Sequence, residues 1–230
     1  MIVVRFICRV DGELVALVLE VKMPFSSYKS ISAVAKKFQL KYVLSDYIVG
    51  IELPVKAAFK EELDLLFTDG VVDNSEDAIC ENLIYPVLKE VWKNYRMKLT
   101  LWSHEALCYD EDLSGIPDYI VTQRSPLGTI IFDRPYFLTV EAKQDRFEEG
   151  WGQCLAEMVA VQRLNDEMNQ TIYGIVSNGK VWQFGKLELN VFTRNKTFYT
   201  IQDLEELFAA VNYVFRQCEL QVEGKETFSV

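Results

Sequence analysis

The stretch Tyr136-Phe137-Leu138-Thr139-Val140-Glu141-Ala142-Lys143 decides how the rest of this chain is read. It is rich in aromatic and β-branched residues, which suit a pleated strand. Alternation sends Leu138, Val140 and Ala142 to one face and Thr139, Glu141 and Lys143 to the other. An acid and an amine therefore share one face of a strand whose opposite face is apolar. Upstream, residues 115–123 read as a neighbouring strand, Gly115-Ile116-Pro117-Asp118-Tyr119-Ile120-Val121 and onward, after the turn-prone Ser125-Pro126-Leu127-Gly128 is set aside. Asp118 stands there among apolar neighbours, and burying it is costly unless a cation or donor meets it.

Outward from this pair, residues 98–107 read as a third strand, and 148–165 as a helix with Trp151, Leu155, Met158 and Val159 on one side. Asn178-Gly179 predicts a hairpin between strands 171–177 and 180–185, and 189–199 adds another strand. A last helix spans 203–218, followed by a loose polar tail. Toward the N-terminus, Asn74 or Ser75 caps a helix running toward Tyr95, in which Pro86 forces a kink. A helix at 55–67 ends at Gly70, and Ile31, Val34, Ala35 and Phe38 recur at helical spacing before a short strand at 41–44. The first 22 residues read as a hairpin, 2–8 and 14–21 about an Asp11-Gly12 turn. The start-like Met23-Pro24-Phe25-Ser26-Ser27 predicts that Met23 is the initiator and that residues 1–22 are a mis-called extension. Residues 23–230 then form one mixed α/β domain with a core at about 75–185, helical additions on its N-terminal side and a C-terminal helix.

The chain has 230 residues, with 34 Asp plus Glu against 24 Lys plus Arg, a net charge of -10. A basic footprint for duplex DNA is missing from that balance, and the acidic surface suits docking of a partner protein. Its longest apolar run, residues 14–19, falls far short of the ~20 residues that span a membrane, so no membrane partner is expected. Cys8, Cys80, Cys108, Cys154 and Cys218 form no close pair, which argues for reduced thiols and a cytoplasmic address and against a zinc finger. The single histidine, His104, excludes a site built on two imidazoles and reads as an ordinary polar residue beside a strand.

Two carboxylates on neighbouring strands can hold one Mg²⁺, a hard cation satisfied by one or two carboxylates plus water and phosphate. An adjacent lysine would orient water or offset charge developing at a phosphate. The same residues also describe a plain same-face ion pair, Glu141 with Lys143, beside a strand-edge acid.

Pro117-Asp118, then 22 residues, then Glu141-Ala142-Lys143 resembles the signature of the PD-(D/E)XK nuclease superfamily. The resemblance implies a restriction-endonuclease-like core of helix, three strands, helix and strand. It also implies Mg²⁺ as cofactor, with Mn²⁺ able to substitute, Asp118 and Glu141 as metal ligands and Lys143 as the catalytic lysine. Two accessory positions are similar as well. Glu81, on the helix before the sheet, would be a further ligand, facing inward beside Ile84, Tyr85 and Leu88. Gln153, on the helix after the lysine strand, would assist, with Ala156 and Ala160 letting that face approach the sheet, and Glu157 one turn on could share the role. Trp151, between Gly150 and Gly152, reads as core more readily than as a base-stacking platform.

The implied function is metal-dependent hydrolysis of nucleic acid, DNA before RNA, by a protein that forms a homodimer where two strands are to be cut. Charge weighs against it: residues 61–88 hold eight acids and no Lys or Arg, and 99–123 hold five acids and none. Arg124, Arg134, Lys143, Arg146 and Arg163 could form a local positive rim, while Lys36, Lys37 and Lys41 read as a solvated helix face. The alternatives are a catalytically inactive module of the same fold, binding protein or nucleic acid, and a metal-dependent hydrolase of small substrates.

Overall fold

A computed structural model describes residues 2–10, 13–21 and 24–226. Strands β1 (Ile2–Val10) and β2 (Glu13–Val21) pair antiparallel in a two-stranded sheet of their own. The Asp11-Gly12 turn and Met23 lie outside the described residues. Helix α1 (Ile31–Phe38) starts where Ser30 Oγ accepts the Ala33 N–H, and β3 (Lys41–Leu44) follows. Helix α2 (Ala57–Asp69) stops at Gly70.

The next helix begins at Ser75, whose Oγ accepts the Ala78 N–H at 3.0 Å. It runs as α3 (Glu76–Ile79), a π turn (Cys80–Ile84) and α4 (Tyr85–Trp92). The cause of the irregularity is Pro86. A proline offers no N–H to the carbonyl four residues back and its ring crowds that carbonyl, so the helix widens just before it and the Tyr85 N–H reaches Cys80 O instead. The expected kink is thus a π turn.

The remaining elements are β4 (Leu99–Ser103), β5 (Leu107–Cys108), β6 (Ser114–Gly115), β7 (Tyr119–Gln123), β8 (Tyr136–Ala142), α5 (Phe147–Asn165), β9 (Ile172–Ser177), β10 (Val181–Glu188), β11 (Val191–Arg194), β12 (Tyr199–Thr200) and α6 (Leu204–Glu226). Several differ from expectation: the strands read at 98–107 and 189–199 each divide, into β4 and β5 and into β11 and β12. The strand read at 115–123 breaks into β6 and β7, because Pro117 cannot donate to a ladder and the Asp118 carboxylate accepts the Ala142 N–H in place of a backbone carbonyl. The tail expected to be loose beyond residue 218 continues as α6, since Val222 is buried and Glu223 pairs with Lys98 at 2.6 Å.

Eight strands form one mixed sheet, ordered β3-β11-β10-β9-β8-β7-β4, with β12 added to β10. The pairs β8/β9 and β3/β11 are parallel and the others antiparallel. A parallel pair needs a crossover, and α5 supplies it between β8 and β9. Leu138, Val140, Ala142 and Ile175 pack with the residues of α3, α4 and α6 on one face. Ile120, Ile172 and Val176 pack with α5 and α1 on the other. The chain is therefore a mixed α/β protein, layered helix, sheet, helix.

Helix α5 is buried all round from Gly150 to Gln162, not on one side as its pattern suggested. Its outer face is covered by α1 and the 3₁₀ turn Pro24–Ser27. Gly152 permits that cover: a Cβ there would sit 2.5 Å from Tyr28 O and from Ser30 N, both backbone atoms that cannot swing away. Gly152→Ala should cost about 1–3 kcal/mol by forcing α1 off α5. Urea unfolding of the variant, followed by circular dichroism, checks this.

Candidate active site

The site forms where β8 ends beneath the first turns of α5. Thr139 Oγ1 meets Cys154 Sγ at 3.5 Å, so Thr139, Glu141 and Lys143 face the helix. Glu141 is only 2% exposed, and its Oε1 accepts from Lys143 Nζ at 2.7 Å. Lys143 Nζ also reaches Glu76 Oε2 at 3.1 Å, across from the start of α3. Gly150 makes room for this, since a Cβ on it would stand 2.8 Å from Lys143 Cγ.

Asp118 enters from β7. The β7/β8 ladder pairs Tyr119 with Val140, and just beyond it the Asp118 carboxylate accepts the Ala142 N–H at 2.7 Å. Its other oxygen lies 3.6 Å from His104 Nε2. His104 sits one residue past β4, opposite Asp118 because Ser103 pairs with Tyr119, and its own N–H donates to Asp118 O. It adopts φ 56, uncommon for a residue with a side chain, with Nδ1 2.7 Å from Ser103 Oγ.

From α5, the buried Gln153 donates Nε2–H to Glu157 Oε1 at 3.3 Å. Glu157 is wholly buried and lies against Glu141. One oxygen of each, Oε2, has no other hydrogen-bond partner.

The electrostatics follow from burial. Desolvation pushes Glu141 well above the ordinary carboxylate range, the nearby Glu157 and Asp118 add to this, and Lys143 opposes it without prevailing. Glu157 is pushed up to about 8, chiefly by burial and then by Asp118. Two buried acids in contact cannot both ionise, so the pair holds a proton at neutral pH. Burial also raises Asp118, against the pull of the Ala142 N–H and Lys143. Burial works against the Lys143 ammonium, but Glu141 and Glu76 outweigh it and hold its proton above the ordinary lysine range.

The structure thus brings Asp118, Glu141, Lys143, Gln153 and Glu157 together. It does not bring Glu81 to them: Glu81 is exposed and makes no hydrogen bond or ion pair with any of the five among the described residues. It lines a neighbouring cleft of about 380 Å³ with Asp77, Cys80, Tyr85, His104 and Tyr119. The expectation of an inward-facing Glu81 assumed unbroken helical spacing. A π turn carries one extra residue, about 100° of rotation, and the inward phase is lost. The acid on this helix that meets the site is Glu76, in its first turn. His104 was read as a bystander, and its place opposite Asp118 depends on strand register. Trp151 is fully buried with Nε1 donating to Gln183 Oε1 at 2.7 Å, so it is core and unavailable to a base.

Among the described residues, no group of three or more His, Cys, Asp or Glu side chains is gathered closely enough to hold a metal ion. The donors present are nevertheless hard oxygens, one of them the unpartnered Oε2 of Glu141, and Asp118 and Glu141 make the pair of carboxylates that a Mg²⁺ site with waters requires. No helix among the described residues is long and apolar enough to cross a membrane. Cys80, Cys108, Cys154 and Cys218 are free thiols. No family model matches the chain, and no curated protein matches it.

The raised acids have a consequence for stability. Between the ordinary value of 4.5 and about 8, the folded protein holds on Glu157 a proton that the unfolded chain has released, and burial shifts Glu141 in the same direction. The Glu157 contribution is fully present below pH 4.5 and is lost as pH rises through about 8. Unfolding free energies from urea titrations across this range should fall with rising pH, and Glu157→Gln should make the slope shallower.

Proposed function

We propose that this protein is a divalent-metal-dependent nuclease of the PD-(D/E)XK type, hydrolysing phosphodiester bonds of nucleic acid, DNA before RNA. The observation that carries the reading is the convergence of Asp118, Glu141 and Lys143. Two carboxylates from adjacent strands and an ammonium lie within one cluster, tied by the Ala142 N–H and the 2.7 Å Lys143 to Glu141 contact. The element order supports the same reading: a helix (α3 and α4), three antiparallel strands (β4, β7, β8), a crossover helix (α5) and a parallel strand (β9).

Asp118 and Glu141 would hold Mg²⁺ or Mn²⁺, which when bound polarises the scissile phosphate and makes water more acidic. The chain's own groups divide the remaining work. Lys143 keeps its proton, so it serves as a charged donor to the developing negative charge on phosphate and not as a base. Glu157, with its proton affinity near neutral, fits transfer of a proton to or from its neighbour Glu141. Gln153 fixes the Glu157 carboxyl. Glu76 shares the Lys143 ammonium and limits its motion. Glu81 has no part in this arrangement.

Plasmid, linear duplex, single-stranded DNA and RNA incubated with Mg²⁺ or Mn²⁺ test the reading. The wild type should cut at least one of them. Glu141→Ala and Lys143→Ala should each slow cutting by about 10²-fold or more. Cutting that survives both changes, or none in the wild type with either metal, refutes it.

A further inference from the structure

A groove of about 400 Å³ lies on the α1 side of the molecule, lined by Ile31, Ala35 and Lys36 of α1, Tyr42 of β3, Glu148 of α5 and Arg194 of β11. Arg194 sets it apart. Among the described residues, no carboxylate lies within ion-pair distance of its guanidinium, although the chain carries a net charge of -10. The guanidinium is nevertheless held in place. It lies 5.7 Å from the Trp151 ring centre and 5.8 Å from that of Phe198, and its Nη2 donates to Gln183 Oε1, which Trp151 Nε1 also reaches. A fixed, partly buried cation without a counter-ion is costly to keep unless a ligand supplies the anion.

The rest of the lining says which anion. Lys36 and the neighbouring Lys41 are exposed and likewise have no acid partner among the described residues. Tyr42 leans on Phe192, ring centres 6.2 Å apart, yet stays 46% exposed, an aromatic surface beside the cations. Cations that follow a backbone and an aromatic that takes a base are the elements of a single-strand binding track. Glu148 is the one acid in the lining. It stands in the first turn of α5. A flat duplex would not present an unstacked base to Tyr42.

We propose that this groove binds a single-stranded segment of nucleic acid, with Arg194 and Lys36 on phosphates and Tyr42 stacked on a base. The inference rests on the nuclease reading and narrows its substrate to strands that are single or locally opened.

Fluorescence anisotropy with labelled single-stranded DNA, single-stranded RNA and duplex DNA tests it, using the full chain and Ca²⁺ so that binding is read without cutting. The single strands should bind more tightly than the duplex. Lys36→Glu and Arg194→Gln should each weaken single-strand binding about 10-fold and reduce the salt dependence by about one unit of log–log slope. Tyr42→Ala should weaken it about 5-fold or more without changing that slope. Lys36 is exposed, so Lys36→Glu reports even if Arg194→Gln disturbs packing. Affinity unchanged in Lys36→Glu and Tyr42→Ala, or preferred binding of duplex, overturns the groove while Lys143-dependent cutting would leave the nuclease reading standing. Groove-dependent binding with no cutting would do the reverse. Binding of an acidic peptide in place of every oligonucleotide overturns the groove assignment as well.

Discussion

Placing a carboxylate in the interior, as this fold does with Glu141, obliges the surrounding structure to supply charge, a proton or an ion in place of water. Each neighbour of Glu141 answers part of that demand. Lys143, two residues along the same strand, brings an ammonium to one oxygen. Glu157 shares the other side and holds a proton that an exposed glutamate would release. Gly150 clears the space in which the lysine stem lies, and Gln153 satisfies an oxygen of Glu157. Such a cluster is an expensive way to fill a core. Leucine and alanine would pack the same volume without the desolvation, so the acid pair between β8 and α5 is a cost to stability.

Asp118 shows how the backbone prepares the site. Pro117 ends the pairing of β7 with β8, and the freed Ala142 N–H is taken by the aspartate side chain. One hydrogen bond thus closes the sheet edge and sets a second carboxylate beside the first. The same break brings His104, at the end of β4, opposite Asp118. The sheet register decides these juxtapositions, and α5 presses on them from above.

Charge, which looked adverse in the sequence, is distributed unevenly. The acids of α2 and α3 lie on the face away from α1, and Lys36, Lys41 and Arg194, three cations without an acid partner among the described residues, lie about α1, β3 and β11. A net charge of -10 describes the whole molecule and not each of its faces.

The alternation in Tyr136–Ala142, the helix start at Asn74 or Ser75, the Asn178-Gly179 turn and the order of helices and strands were legible in the sequence, because each depends on residues within a few positions of one another. Asp118, Glu141, Lys143 and Gln153 were legible as candidates for the same reason, their spacing on strand and helix. Glu81 was misplaced because a proline five residues later changed the helical phase, a local effect whose outcome depends on how the neighbouring layers pack. Glu157 was legible too, one turn after Gln153, whereas Glu76 and His104 became site residues only through tertiary structure. Glu76 meets Lys143 across 67 positions of sequence, and His104 meets Asp118 only because β4 pairs with β7 in one register. Sequence determines which faces are apolar and where chains turn. Which polar groups then share a buried volume, and so exchange protons and charge, is decided when the sheet and its two helical layers close over them.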